Sequence, residues 1–282
     1  MNLDKWDDFF ESYCEKEGLK LPKTSFVDFP NEISKEDLRK LREQVEFLNN
    51  RKGESITHIS KFFPHIEEEI THKLKVVLLP FGKINYGPMA GYQLYSIFPK
   101  ADPIETYLFL IHIYYHEISF INYTERSSYV SENHLKKADY LDYLKLLIQN
   151  EGIGNYAVLN ELETFKKQAS PIYQYIYFTY ANKINDKDLL IRCLKTVNQI
   201  FDMKNNDFER LYKKINLIIK SEELPAINII GLHMANCIAN AFGESSLIQV
   251  YKADPNDFFN LYKKSGDSYV DLLSKVYSPI KV

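Results

Sequence analysis

A surplus of positive charge is missing from this chain. Its 282 residues carry 35 Lys and Arg against 38 Asp and Glu, a net charge of −3, so there is no excess of cations to neutralise phosphates and no basic patch interleaved with glycine and aromatics. Nucleic acid is not an expected partner. Cysteine is scarce as well: Cys14, Cys193 and Cys237 stand far apart without metal-ligand spacing, which reads as buried thiols in a reducing compartment and excludes a disulfide framework. No stretch approaches the ~18 uninterrupted apolar residues of a membrane span. The acidic opening Met1 to Asp8 also lacks the charged-then-apolar order of a signal peptide. A cytoplasmic protein without membrane contact is the expectation. Low-complexity tracts, linkers and fixed-period repeats are absent too. Gly82, Gly87 and Gly91 are too scattered around Pro80 and Pro88 to cradle a phosphate, and no Ser or Cys nucleophile signature occurs.

What is present is hydrophobic residues, 45% of the chain, enough to bury a substantial core. Trp6, Phe9, Phe10, Tyr13 and Cys14 recur at helical spacing before Gly18, which predicts a first helix. Ser34 with Asp37 resembles a capping box that opens a second, marked by Leu38, Leu41, Val45 and Leu48. A third helical stretch covers roughly residues 54–73 and is broken or kinked at Pro64. Between them these make a helical region over 1–73. From residue 74 the texture changes. Lys75 to Pro80 and Gly91 to Phe98 are short β-branched and aromatic runs bounded by Gly and Pro, the pattern of strands.

Asp102 as N-cap, Pro103 at the first helical position and Glu105 at the third then start a strongly apolar helix to about Tyr123, read as central and buried. Beyond Asn133 the pattern is helical to the end. Start signals stand at Asp186, Pro225 and Asp254-Pro255, and Gly243 is a stop. The expected fold class is α+β, predominantly helical, with a small sheet set before the central helix and residues 74–282 as one region.

The central helix carries His116-Glu117, followed two residues later by Phe120. In a zinc peptidase two histidines at i and i+4 share a helix face as ligands, and the glutamate after the first polarises the attacking water. Phe120 stands where the second histidine belongs. Glu151, in Asn150-Glu151-Gly152-Ile153-Gly154-Asn155-Tyr156, falls on a later helix, with two glycines that permit close helix packing.

With Leu79-Pro80, Gly91-Tyr92, His116-Glu117 and Glu151-Gly152-Ile153 with Tyr156, the chain resembles a bacterial family of zinc-dependent peptidases of the gluzincin type. A further similarity runs from Gly231 to Tyr262. The resemblance implies a zincin-like fold, zinc as cofactor, His116 as first ligand, Glu117 as general base and Glu151 as third ligand. Phe120 removes a neutral imidazole from that set, so weak or absent zinc binding is expected.

His112 and His116 are themselves four apart on one helix face, which offers a rearranged site. It would sit about one turn, roughly 5.4 Å, toward the helix start. His233, in an apolar helix over residues 227–241, reads as an oxyanion stabiliser, proton donor or substitute ligand, or else as a satisfied core histidine. His58, His65 and His72 recur at sevenfold spacing beside Glu67, Glu68 and Glu69 and read as a solvated face. Tyr114-Tyr115 and Tyr173 to Tyr180 read as core. Three functions stay open: a metallopeptidase-like protein with an altered metal site and a retained peptide- or protein-binding cleft, an active zinc peptidase using a rearranged His112/His116/Glu151 site, and a helical interaction protein without metal.

Overall fold

A computed structural model describes residues 35–51, 75–79, 88–89, 92–96, 104, 107, 137–165, 183–203, 208–220, 226–251 and 254–277. The expected first and third helices, most of the expected central helix, and His58, His65, His72, His112, His116, Glu117, Phe120, Tyr114, Tyr115 and Tyr173 to Tyr180 lie outside them. The described chain is predominantly helical and divides into two compact units, residues 1–56 with 65–107, and 57–64 with 108–282. No described helix is long and apolar enough to cross a membrane.

In the first unit, α1 spans Lys35–Asn50. Arg39 reaches back to Glu36, with Nε donating to Oε2 at 2.9 Å, and forward to Glu43. These are exposed i,i+3 and i,i+4 pairs, screened by solvent, and add little to stability. Just past the helix, the Arg51 guanidinium lies over the rings of Phe47 at 4.8 Å and Tyr107 at 5.9 Å. The strands are β1 (Lys75–Leu79), β2 (Pro88–Met89) and β3 (Tyr92–Ser96), in the order β1-β3-β2. The first pair is parallel, with Lys75 opposite Tyr92, and the second antiparallel, with Met89 opposite Tyr92.

The second unit is built from α2 (Lys137–Phe165), α3 (Lys187–Asp202), α4 (Phe208–Lys220), α5 (Ala226–Phe242), α6 (Ser245–Tyr251), α7 (Pro255–Lys264) and a 3-10 turn at Val270–Leu273. Local chemistry sets their ends. Asp186 caps α3 by accepting from the Leu189 amide at 3.0 Å. Asp254 caps α7 by accepting from Asn256 N at 2.8 Å, with Pro255 in the first turn where a missing N–H costs nothing. Gly243, at φ 85°, stops α5 in the left-handed conformation that glycine adopts without strain. Pro225 falls outside the described residues, one position before α5 begins.

Apolar residues on α3 (Leu189, Leu190, Cys193, Leu194, Val197, Ile200 and Phe201) form one buried stripe, the 3.6-residue pattern of a helix with a single core face. The helix α5 differs. Ala226, Ile227, Ile229, Ile230, Gly231, Leu232, Met234, Ala235 and Ile238 are all buried, and it packs against α2, α3, α4, α6 and α7. It is the axis of the unit.

Its closest neighbour is α2. A Cβ built on Gly152 would lie 2.7 Å from Gly231 Cα, and one built on Gly231 would lie 2.8 Å from Gly152 Cα, with backbone carbonyls nearer still. Backbone meets backbone at this crossing, so no side chain can move aside to admit a methyl group. Gly231→Ala is therefore expected to destabilise the protein by about 2–3 kcal/mol, the upper part of the overpacking range. Urea unfolding monitored by circular dichroism measures it.

Polar groups line part of the buried surface of α2. Lys145 donates from Nζ to Asn256 Oδ1 at 2.5 Å and lies 5.3 Å from the Phe201 ring centre. Gln149 Nε2 donates to the Val250 carbonyl at 3.2 Å. The two side chains tie α2 to α6 and to the start of α7. Burial holds the Lys145 ammonium below the usual lysine range, against the opposing pull of Asp142 and Asp254. The folded state thus binds this proton less tightly than the unfolded chain, and stability rises as pH climbs toward the ordinary lysine value of about 10.4. Lys145→Met is expected to flatten that rise, read from urea unfolding between about pH 7 and 10.

Candidate functional site

Glu151 is the one residue of the expected zinc set within the described chain. It sits on α2 beside Gly152, and the Gly152–Gly231 crossing brings the first turns of α5 against it. Asn228, one turn before Gly231, donates from its side-chain amide to Glu151 Oε2. Asn155, one turn further along α2, donates from Nδ2 to the Glu151 carbonyl at 2.7 Å and lies 3.4 Å from Oε2. Asn155 is fully buried, and the Glu151 carboxylate is half-buried. A carboxylate withdrawn from water needs compensating donors, and two amides are among them. At the end of the same motif, Tyr156 donates its hydroxyl to Glu244 at 2.9 Å.

His233 belongs to a different surface of α5. Five residues after Asn228, it is rotated about 140° around the helix axis at 100° per residue, away from α2. Its surroundings come from α7, the chain just after it, and the next turn of α5 itself. After α7, Gly266 adopts φ 76° and turns the chain back, so that Asp267 Oδ2 stands 2.9 Å from His233 Nε2. Tyr262 donates its hydroxyl to the same oxygen at 2.5 Å. The rings of Tyr262 and Tyr269 meet the imidazole edge-on at 5.9 and 5.8 Å. Cys237, one turn along α5, places Sγ 3.6 Å from the same Nε2.

Protonation in this cluster follows from the geometry. Burial opposes the Asp267 charge, but the hydrogen bonds from Tyr262 and His233 outweigh it and hold the carboxyl below the usual carboxylate range. An ionised carboxylate only accepts, so His233 carries its proton on Nε2 and donates it to Asp267. Burial raises the Tyr262 hydroxyl far above its ordinary value, reinforced by its bond to Asp267. Burial together with the Asp267 charge pushes the Cys237 thiol up to about 12, and burial pushes Cys193 up to about 11.

This rules out a cysteine–histidine nucleophilic pair. Such a pair needs one ring nitrogen to take the thiol proton while the other is steadied by an acid. Here the nitrogen facing Cys237 is already committed to Asp267.

His233 was legible as a candidate, but Cys237 and Asp267 were not read as its companions. The signal for Cys237 was present, because His233 and Cys237 are four apart on one helix face, the spacing of a ligand pair. Asp267 and Asn228 gave no local signal. Their partners lie 34 and 77 residues away.

Residues 32–267 match the family described as "Putative zinc dependent peptidase (DUF5700)". Comparisons with curated proteins and with solved structures gave no match.

In chelator-treated native protein at about pH 8, Cys237 is expected to react with a disulfide reagent at least ~100-fold more slowly than in the unfolded chain, since only the thiolate attacks. Mass spectrometry of the labelled peptide reads that rate.

Proposed function

This chain belongs to the family so described, and from that membership we propose a gluzincin-type, zincin-like protein whose metal site has been altered and whose cleft is kept for binding a peptide or protein segment. In this reading the small sheet precedes the His116-Glu117 helix, and Glu151 follows on the next. His116 and Glu151 stand at the first and third ligand positions, with Glu117 at the place of the general base and Phe120 at the place of the second ligand. Zinc in an intact site of this kind acts as a Lewis acid on a peptide carbonyl. With Phe120 present the donor set does not close a three-ligand site, so the proposed activity is recognition rather than hydrolysis.

The observation that carries this reading is how Glu151 is held. Its Oε2 accepts from Asn228 and lies within reach of Asn155, so amide hydrogens from α2 and α5 contribute to holding the carboxylate in place. The same two donors would orient Glu151 as a ligand, as partners of metal-binding carboxylates do. Hence a restored histidine should suffice to rebuild the site. Phe120 would meanwhile offer an apolar wall to a side chain of the bound segment.

Metal content per chain, measured by mass spectrometry on untagged protein, tests this. Phe120→His is expected to gain one zinc ion per chain over the wild type, and the gain should vanish when Glu151→Gln is added. Peptide hydrolysis by the wild type that is lost in Glu117→Gln, or a wild-type ion lost in Glu151→Gln, would overturn the reading in favour of an active enzyme with the rearranged His112/His116/Glu151 site. If Phe120→His gains no ion while circular dichroism stays native, a zincin arrangement is excluded and the helical interaction protein is left.

A further inference from the structure

The cluster on the far side of α5 has the composition and spacing of a metal site in its own right. His233, Cys237 and Asp267 offer one nitrogen, one sulfur and one oxygen, all within 4.8 Å of one another. Two of the three come from successive turns of one helix, and the third from the turn at Gly266, so the set is anchored on elements that hold it in place. Both Sγ and Oδ2 converge on the same ring nitrogen, at 3.6 and 2.9 Å. A relay pair would use two different nitrogens; ligands around a common centre would use one.

Two of the three separations lie near those of a tetrahedral ion, and the third, sulfur to oxygen, is at most 4.8 Å. Zinc bonds of about 2.0–2.1 Å to nitrogen and about 2.3 Å to sulfur put those two atoms about 3.6 Å apart, and nitrogen and oxygen about 3.3 Å apart. The sulfur is already at that separation, and the carboxylate oxygen needs to withdraw by only about 0.4 Å.

The surroundings resemble those of a ligated carboxylate. Tyr262 donates to the Asp267 oxygen, the kind of outer hydrogen bond that fixes ligand orientation. Tyr277 adds a second hydroxyl. Among the described residues its oxygen is buried without a hydrogen-bond partner, and burial, with the nearby Asp267 charge second, pushes its pKa up. The site is not sealed. Side-chain exposures of 13% for His233 and 15% for Asp267 leave an entry path for an ion.

We propose that His233, Cys237 and Asp267 bind a divalent cation of the zinc class, at a site separate from the Glu151 position, with a fourth coordination place open. The mixed nitrogen, sulfur and oxygen set favours such an ion over calcium or magnesium, which take oxygen ligands. On binding, the Cys237 thiol releases its proton to solvent, and the imidazole moves its proton from Nε2 to Nδ1. One proton leaves per ion, and the sulfur, nitrogen and oxygen lone pairs face the cation. The inference does not rest on the reading of Glu151.

Cobalt(II) titration of the full-length protein, stripped with chelator under reducing conditions, tests it. One ion per chain is expected, with a thiolate-to-cobalt charge-transfer absorption that added zinc abolishes by displacement. Cys237→Ser should remove the absorption and weaken binding at least about tenfold, and Tyr262→Phe should weaken it about ten- to hundredfold without removing the absorption. Far-ultraviolet circular dichroism confirms that each variant is folded. Glu151→Gln should leave both the stoichiometry and the absorption unchanged. No charge-transfer absorption in the wild type, an absorption that survives Cys237→Ser, or one lost in Glu151→Gln would each overturn the proposal; the last would place the ion at the Glu151 position instead.

Discussion

The backbone contact between Gly152 and Gly231 is the constraint on which the second unit depends. Two helices meet without side chains between them, so neither can rotate or slide without forcing a carbonyl into a Cα. The rotation of α5 about its own axis is thereby set. Once it is set, Asn228 must face α2, where it meets Glu151, and His233 must face away, where α7 and the turn after it supply Tyr262 and Asp267. A single steric condition therefore assigns two polar residues of one apolar helix to two different environments.

Some of this was readable from the sequence, and the readable part shares one property. Asp186, Asp254-Pro255 and Gly243 act on backbone groups two to four residues away, so their signals are local and their helix ends appear where those residues predict. Gly152 was legible as a permissive residue for close packing, although its partner Gly231 was not. The pairs Asn228–Glu151 and Asp267–His233 join segments far apart in the chain, and nothing in their neighbours distinguishes a partnered amide or carboxylate from a solvated one. Cys237 is an intermediate case. Its spacing from His233 is visible in the sequence, but the third member of the group, Asp267, is not.

The polar side of α2 shows the same limit from another direction. Lys145, Gln149, Asn150 and Asn155 are buried, although by type they would be placed on a solvated face. Lys145 and Gln149 find acceptors in Asn256 and the Val250 carbonyl. A pattern of polar and apolar residues reports what a helix can bury only when the polar groups have no partners in the core. With partners available, burial follows the hydrogen bonds. This is why the long helix α2 lacks a clear apolar stripe while α3, with few such bonds, shows one.

Along its buried turns α5 can carry polar side chains only where each is compensated, because an orphan polar group at that depth costs about 1–3 kcal/mol. Asn228 and His233 satisfy the condition in different ways. The amide pairs with one carboxylate and leaves α5 rigidly joined to α2. The imidazole shares its nitrogen's surroundings with a carboxylate and a thiol, and those contacts can be exchanged for bonds to a cation with little movement of the helices. One neutral amide paired with one carboxylate is a structural answer, whereas an imidazole, a carboxylate and a thiol brought together all carry ligand lone pairs and keep a second state within reach. That difference follows from the residues at two turns of one helix, and among the described residues it marks the His233 side as the place where a change in occupancy would be felt first.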